Sequence, residues 1–402
     1  MFDIQIHAAR RAAVQGAMRR EGGGAMLLPA ADEKVRNAGN HHPFRQASDF
    51  AWVTGFDEPE GAVSAYGADS AHPVAEMEAK LEEYLARGGT LWYRLGFSPE
   101  WDERVVRIIG KLRARIRTGV RAPDPVRDPG AVLHELRLVK APEEIERLRR
   151  AAEITAEAHL AAMRDGRPGA REYQVQSEIE YAFRRRGGSG PGYGTIVAAG
   201  PNATVLHYRA GNAELKSGDL CLVDAGGEYG LYTADVTRTF PVSGEFTGAQ
   251  RKAYEVVLSA QEAGIAAVKP GVTVDALHDL VTRKLVEGMI ALGLLHGLPQ
   301  ERIADGSYKK YFMHRTSHWL GMDVHDVGVY HVDGESRPLA AGNVITVEPG
   351  LYVATDDAGA PPELRGIGIR IEDDILVTPE GHENLTAAVP KSPDEVELCC
   401  TR

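Results

Sequence analysis

The sequence predicts an α+β protein of two domains, and three observations support this fold class. With 402 residues, the chain is too long for one ordinary core. The pattern of predicted elements changes near residue 139. Residues 1–138 mix short elements with many Pro and Gly, whereas residues 139–402 alternate long helices with β-rich runs. The second region also contains a weak internal repeat, which predicts a pseudo-twofold domain with a site between its halves.

Residues 1–138 are expected to form the smaller domain, of α/β type. The N-terminal stretch lacks an apolar h-region and predicts an amphipathic helix rather than a secretory signal. Apolar runs at 25–29 and 49–56 predict buried strands. Residues 73–88 open with Pro and close with Gly, which predicts a helix, and the Pro-rich stretch 121–130 predicts a linker or domain edge.

Residues 139–402 use one helical design twice. A helix predicted over 142–166 ends in Arg167-Pro168-Gly169, and a second helix follows. About one hundred residues later, a helix predicted over 248–268 ends in Lys269-Pro270-Gly271 and is again followed by a helix. Each helix pair precedes β-rich sequence, so the unit of helix, Pro-Gly, helix and sheet occurs twice.

Composition and charge exclude several classes of protein. The net charge of −11 disfavours nucleic-acid binding, which needs a surplus of Lys and Arg on one face. No run approaches 18 apolar residues, so no membrane span is expected. Three Cys without regular spacing do not form a disulfide framework, which fits a reducing compartment and predicts a cytoplasmic protein.

Two aspartates in residues 220–240 mark the first candidate site. If the turn between the two strand-like runs centres on Tyr229-Gly230, Asp224 and Asp235 face each other with Cβ atoms roughly 5 Å apart. Two carboxylates at that distance among apolar neighbours need a shared proton or a cation. The alternative is a pair of solvated turn residues, but both Asp lie within the strand-like runs.

Further candidate ligands follow in three segments. His314, His318 and His325 occur within twelve residues, and neutral imidazole is a common ligand of borderline metals. Glu348 interrupts an apolar strand before a Pro-Gly turn. In residues 366–378, Arg370 and Glu372 share one strand face with glycines, which predicts a strand lining a polar cavity.

Together these segments predict a centre with two metal ions. Four buried carboxylates cannot stay together without positive charge. Oxygen-rich ligands with one imidazole suit two divalent ions such as Mn²⁺, and such ions lie roughly 3.5–4 Å apart when they activate one water for hydrolysis. The expected ligands are Asp224, Asp235, His318, Glu348 and Glu372.

The sequence resembles the proline-specific aminopeptidases, also called aminopeptidase P or Xaa-Pro aminopeptidase. The resemblance rests on VDAGGEYGLYTADVTRTFP, MHRTSHWLGMDVHDVGVY, VEPGLYV and RGIGIRIEDDILVT, which occur in order over about 150 residues. It continues into the first region at residues 44–61. It implies a C-terminal pita-bread fold after a creatinase-like N-terminal domain that serves substrate access and oligomerisation, and it implies assembly into a dimer or tetramer.

The resemblance also implies roles for individual residues. Asp235 and Glu372 are expected to bridge two ions, usually Mn²⁺ in this family, with Co²⁺ or Zn²⁺ as alternatives. A water between the ions would attack the bond before a proline at position two of a peptide. Glu348 would move the proton. The residues expected to contact substrate or steady the ligands are His207, His314, His325 and Arg370.

Three features are less regular. Arg315 occupies a position where many relatives carry a small residue, which predicts either a substrate contact or an outward salt bridge. After residues 58–61 the relatives usually continue with several more strands, so the N-terminal domain is expected to be shortened. The Gly-rich stretch 187–194 does not fit a nucleotide loop and predicts a loop near the substrate.

Other functions share part of this pattern. A prolidase, which cuts Xaa-Pro dipeptides, would use the same five ligands, so only rates on dipeptides and tripeptides separate it from an aminopeptidase. A methionine aminopeptidase would not need the N-terminal domain. An inactive peptide-binding scaffold would have no reason to keep four clustered carboxylates.

Overall fold

The computed structural model describes residues 3–57 and 72–401. The chain divides into two compact units, Met1–Arg137 and Leu138–Arg402. The segment 58–61, on which the expectation of a shortened N-terminal domain depends, lies outside the described residues. Within the described ranges, no helix combines the length and the apolar character needed to cross a membrane.

The N-terminal unit has a small parallel sheet in which β4 pairs with both β1 and β5. Its core is formed by β4 and the apolar faces of two helices, α3 and α4. The helices are α1 (Ile4–Arg20), α2 (Ser48–Thr54), α3 (Met77–Leu85), α4 (Pro99–Ala114) and α5 (Gly130–Leu138). The strands are β1 (Ala25–Met26), β2 (Val35–Asn37), β3 (Asn40–His41), β4 (Leu91–Trp92) and β5 (Val126–Arg127).

The predicted strand at 49–56 is wrong, because these residues form most of helix α2. A short apolar run does not distinguish a buried strand from a buried helix by its pattern alone. Here Asp49 lies in the first turn, where a carboxylate favours the helix dipole. Gly55 ends the helix with φ 74°, a left-handed conformation that glycine adopts readily.

The C-terminal unit contains six helices and thirteen strands among the described residues. The helices are α6 (Pro142–Asp165), α7 (Glu172–Arg185), α8 (Gly248–Ala267), α9 (Val274–Ala291), α10 (Pro299–Ala304) and α11 (Pro393–Thr401). The strands are β6 (Gly190–Pro191), β7 (Ile196–Ala199), β8 (Leu220–Asp224), β9 (Gly227–Tyr229), β10 (Tyr232–Thr233), β11 (Thr237–Pro241), β12 (His331–Val332), β13 (Glu335–Ser336), β14 (Val344–Val347), β15 (Gly350–Tyr352), β16 (Gly368–Arg370), β17 (Asp373–Val377) and β18 (His382–Asn384).

The predicted internal repeat is confirmed. Helices α6 and α7 share a hydrophobic core with β7, β8 and β11, whereas α8 and α9 pack on β14 to β17. Each half has a three-stranded antiparallel sheet, β11-β8-β7 in one and β14-β17-β18 in the other. The halves meet where the Glu372 N–H donates to the Thr237 carbonyl at 3.1 Å.

The predicted register of the 220–240 hairpin is wrong by one residue at the turn. The turn residues are Gly230 and Leu231, both with positive φ, so Tyr229 pairs with Tyr232. The longer ladder pairs Asp224 with Thr237 instead of Asp235. Asp235 lies between β10 and β11, where the ladder is interrupted.

Candidate metal centre and active site

One cavity of the C-terminal unit, of about 1230 Å³, contains every predicted site residue in its lining. Its volume exceeds the roughly 300–1,000 Å³ of a typical small-molecule pocket. The predicted residues it brings together are His207, Asp224, Asp235, His314, His318, His325, Glu348, Arg370 and Glu372.

The four carboxylates lie at strand ends or at interruptions between strands. Asp224 ends β8 and Asp235 precedes β11, while Glu348 and Glu372 lie in the short gaps β14–β15 and β16–β17. The backbone there is held from outside the cavity, since Glu348 N–H donates to the Thr316 carbonyl at 2.8 Å. At these interruptions the carboxylate side chains line the cavity, while the strands on either side stay paired.

Three of these residues lie close enough to hold one metal ion. Asp235, His318 and Glu372 each offer a ligand atom within 4.8 Å of the others. The His318 Nε2 lies 3.2 Å from an Asp235 oxygen and 3.8 Å from a Glu348 oxygen. The other ring nitrogen, Nδ1, donates to the Trp319 carbonyl at 3.0 Å, which leaves Nε2 directed at the carboxylates.

Burial disfavours the ionised form of three carboxyl groups in the cavity. Burial raises the pKa of Asp224, raises that of Glu348 to about 7, and raises that of Glu372 well above its ordinary range. Burial lowers the pKa of His318, but the hydrogen bond and charge of Asp235 together raise it to about 9. A clustered donor set of carboxylate oxygens and one imidazole fits divalent metal ions.

Three hydroxyl groups that the sequence did not reveal fix the orientation of these residues. Tyr193 O–H donates to Asp224 at 2.7 Å, and Thr237 O–H donates to Glu372 at 2.7 Å. Arg370 donates to Asp224 at 2.5 Å and to the hydroxyl of Tyr352 at 3.0 Å. Hydroxyl side chains in strands and loops are common, and only the position of Tyr193 in the Gly-rich loop gave a signal.

Two further histidines in the lining of the cavity are His314 and His325. The His314 Nδ1 donates to the Arg315 carbonyl at 2.8 Å, so its Nε2 accepts from the Tyr352 hydroxyl at 2.9 Å. Burial and the charge of Arg370 lower the pKa of His314 to about 3. The ring of His325 meets that of His318 edge-on at 4.4 Å between centroids. Burial and the His318 charge lower the pKa of His325.

The residue that follows His325 forms a buried ion pair. Lys140 Nζ donates to Asp326, the next residue, at 3.0 Å, and both side chains are 1% exposed. Asp326 N–H also donates to the Trp319 carbonyl at 2.9 Å. The loop carrying His325 is therefore anchored to the residues that precede α6.

Arg315 lines the cavity and forms a salt bridge. Its guanidinium pairs with Asp275, which also contacts His331 Nε2 at 3.0 Å. The side chain of Arg315 is 57% exposed. A salt bridge is one of the two roles expected for this residue, and both partners of this one line the cavity.

Known proteins resemble the chain over nearly its whole length. Residues 146–379 match metallopeptidase family M24, and residues 7–65 match the N-terminal domain of aminopeptidase P. The Xaa-Pro aminopeptidase of Escherichia coli (strain K12) is 43% identical over 93% of this chain and 93% of that protein.

Solved structures agree with these sequence matches. Pseudomonas aeruginosa aminopeptidase PepP has a TM-score of 0.96 and 40% identity, covering 100% of this chain and 98% of that one. Zn-substituted E. coli aminopeptidase P in complex with product has a TM-score of 0.94 and 41% identity, with the same coverage. The chain therefore belongs to metallopeptidase family M24 and, within it, to the Xaa-Pro aminopeptidases.

Proposed function

We propose that the chain hydrolyses the bond between the N-terminal residue of a peptide and a following proline. The observation that carries this proposal is the group of carboxylates around one imidazole in the cavity, in which Asp235, His318 and Glu372 offer ligand atoms within 4.8 Å of one another. The relatives named Xaa-Pro aminopeptidase support the choice of bond. The proposed ligands of two divalent ions are Asp224, Asp235, His318, Glu348 and Glu372.

Divalent ions at this centre, proposed to be Mn²⁺ with Co²⁺ and Zn²⁺ as alternatives, supply Lewis acidity and lower the pKa of water. Glu348 is proposed to accept a proton from the attacking water and deliver it to the proline nitrogen as the bond breaks. His207 and His325 donate N–H hydrogen bonds to the carbonyl oxygen as negative charge develops there.

Other residues of the cavity hold this arrangement. Arg370 is proposed to steady Asp224, with which it pairs at 2.5 Å. The hydroxyl of Tyr352 links Arg370 to His314, so the neutral imidazole of His314 stays in one tautomer. The free amine of the peptide is attracted to the carboxylates, which favours cleavage after the first residue.

The experiment is hydrolysis of Ala-Pro-Ala by metal-stripped protein before and after addition of Mn²⁺, with products identified by mass. We expect metal-dependent release of alanine and Pro-Ala. Cleavage of Ala-Pro without cleavage of Ala-Pro-Ala would make the protein a prolidase. If neither peptide is cleaved and no metal is bound, the protein would instead be an inactive peptide-binding scaffold.

The proposed partners are peptides with proline at position two and further copies of the chain. Assembly into a dimer or tetramer is inferred from the family resemblance, and light scattering at two protein concentrations tests it. The cytoplasm is the proposed compartment, inferred from the cysteine usage, and fractionation of the source cells tests it.

A further inference from the structure

One arginine in the lining of the cavity has no hydrogen-bond or ion-pair partner among the described residues. Three arginines line it: Arg370 pairs with Asp224, and Arg315 pairs with Asp275. Arg209 is exposed and makes no side-chain hydrogen bond or ion pair with any residue in the ranges 3–57 and 72–401.

The neighbouring glycine leaves space for this arginine. A side chain at position 194 would collide with the guanidinium of Arg209, so Gly194 lets the guanidinium lie against the backbone at the cavity wall. Gly194 itself lines the cavity and follows Tyr193, whose hydroxyl donates to Asp224. The guanidinium is therefore beside the loop that supports one proposed ligand.

The segment that carries Arg209 is firmly anchored from its other side. The carboxylate of Glu172 is fully buried and accepts four hydrogen bonds, two of them from Tyr208 O–H and Ala213 N–H at 2.9 and 2.8 Å. Tyr208 is thus directed away from the cavity, whereas its neighbours His207 and Arg209 both line it. Arg209 shares a wall with a residue proposed to contact the substrate.

We propose that Arg209 is a specificity-determining residue that binds a carboxylate carried by the peptide beyond the proline. The proposal rests on the proposed function. A short peptide has an ammonium at one end and a carboxylate at the other, and the cavity offers acidic ligands and a free guanidinium. Guanidinium binds carboxylate with two parallel hydrogen bonds, which lysine cannot reproduce. The carboxylate is either the C-terminus of a tripeptide or an acidic side chain of a longer peptide.

The test compares kcat/KM of the metal-loaded protein on Ala-Pro-Ala, its C-terminal amide, and Ala-Pro-Glu amide. We expect a preference of roughly three- to tenfold for a carboxylate over the neutral amide, the size of one partly solvated ion pair. Preference for the free acid identifies the C-terminus as the source, and preference for Ala-Pro-Glu amide identifies the side chain. Arg209→Gln should bring the ratio close to one, and Arg209→Lys should restore part of it.

Arg315→Gln is the matched control, because Arg315 lies in the same cavity but is already paired with Asp275. It should keep the ratio of the unaltered protein. An unchanged ratio in Arg209→Gln, or an equal loss in both variants, would overturn the proposal. Binding of the product Pro-Ala and its amide by calorimetry supplies a second readout. Failure of the unaltered protein to cleave any of the three peptides would instead contradict the proposed function.

Discussion

Glu372 and Asp373 are adjacent in the chain, yet they lie in opposite electrostatic environments. Glu372 faces the cavity, where its neighbours are Asp224, Asp235 and Glu348, and its pKa is raised well above the ordinary range. Asp373 faces the other way and is also buried, but Arg238 and Lys391 hold its pKa well below the ordinary range.

The hydrogen bonds explain the difference. Asp373 accepts from Arg238 at 2.6 Å and from Lys391 at 2.7 Å, and three neutral donors complete its shell. These neutral donors are Gln261, Asn384 and Thr386. Glu372 accepts a side-chain hydrogen bond from Thr237 alone among the described residues. The fold thus supplies two cationic partners for Asp373 and none within hydrogen-bonding distance, among the described residues, for Glu372, which is a proposed metal ligand.

The largest effect is expected from Glu372→Gln. The substitution removes a proposed bridging ligand, so turnover should fall by more than about a thousandfold, beyond the loss of a single oxyanion donor. The metal-free fold should be as stable as before or more stable, because the substitution removes a buried carboxyl whose ionisation is disfavoured by burial and by its acidic neighbours. Turnover, bound metal and thermal unfolding of the stripped protein check this together. Full activity of the variant would show that Glu372 is not a ligand of the metal centre.

Asp373→Asn should show the opposite pattern. It leaves Arg238 buried without its anion, which costs about 3–5 kcal/mol for a buried pair. The urea midpoint of unfolding should drop accordingly. Glu383→Gln is the matched control. Glu383 also accepts two charged hydrogen bonds, both of them from Arg149, but this pair is about 40% exposed and contributes about 0.2–1 kcal/mol. Equal losses would mean that burial does not separate the two pairs.

His325→Ala tests whether His325 is a metal ligand. Because His325 is proposed to donate to the substrate carbonyl, turnover should fall by about 10²–10³-fold while metal stays bound. Metal content measured beside turnover decides the case. Loss of metal would mean that His325 is a ligand, and the group in need of cations would then be larger than four carboxylates and His318.

Asp49, in the N-terminal unit, offers a smaller example of a compensated carboxylate. It is mostly buried and pairs with Arg137 at 2.6 Å. Burial alone would raise its pKa, but His134 and Arg137 lower it to about 2. Since the folded pKa lies below the unfolded value, its contribution of about 2 kcal/mol is present above pH 4 and disappears as pH falls towards 2.

Acid unfolding followed in Asp49→Asn checks this sign. The variant should be less stable at pH 7, and the difference from the unaltered protein should shrink below pH 4. A difference that stays constant across this range would mean that the hydrogen bonds, rather than the charge, carry the effect.

The sequence predicted which residues line the cavity because four proposed ligands are carboxylates in strand-like runs and His318 is one of three histidines within twelve residues. The sequence-based predictions failed where the structure depends on backbone conformation. The hairpin register depended on two positive-φ residues, Gly230 and Leu231, and leucine gives no sign of such a conformation. Helix α2 was predicted as a strand because its apolar run suits both. Of the supporting hydroxyls, Tyr193 lies in the Gly-rich stretch 187–194, whereas Thr237 has no unusual pattern along the chain.

Residues 138–140, shortly before α6, determine where an isolated C-terminal unit can begin. Judged by helix boundaries, a shortened protein could begin at Ala141. It would then lack the Leu138 carbonyl that accepts from Asn343 at 3.1 Å, and the Lys140 N–H that donates to the Gly342 carbonyl at 2.8 Å. It would also leave Asp326 buried without its cation. A usable starting point therefore lies ahead of Leu138.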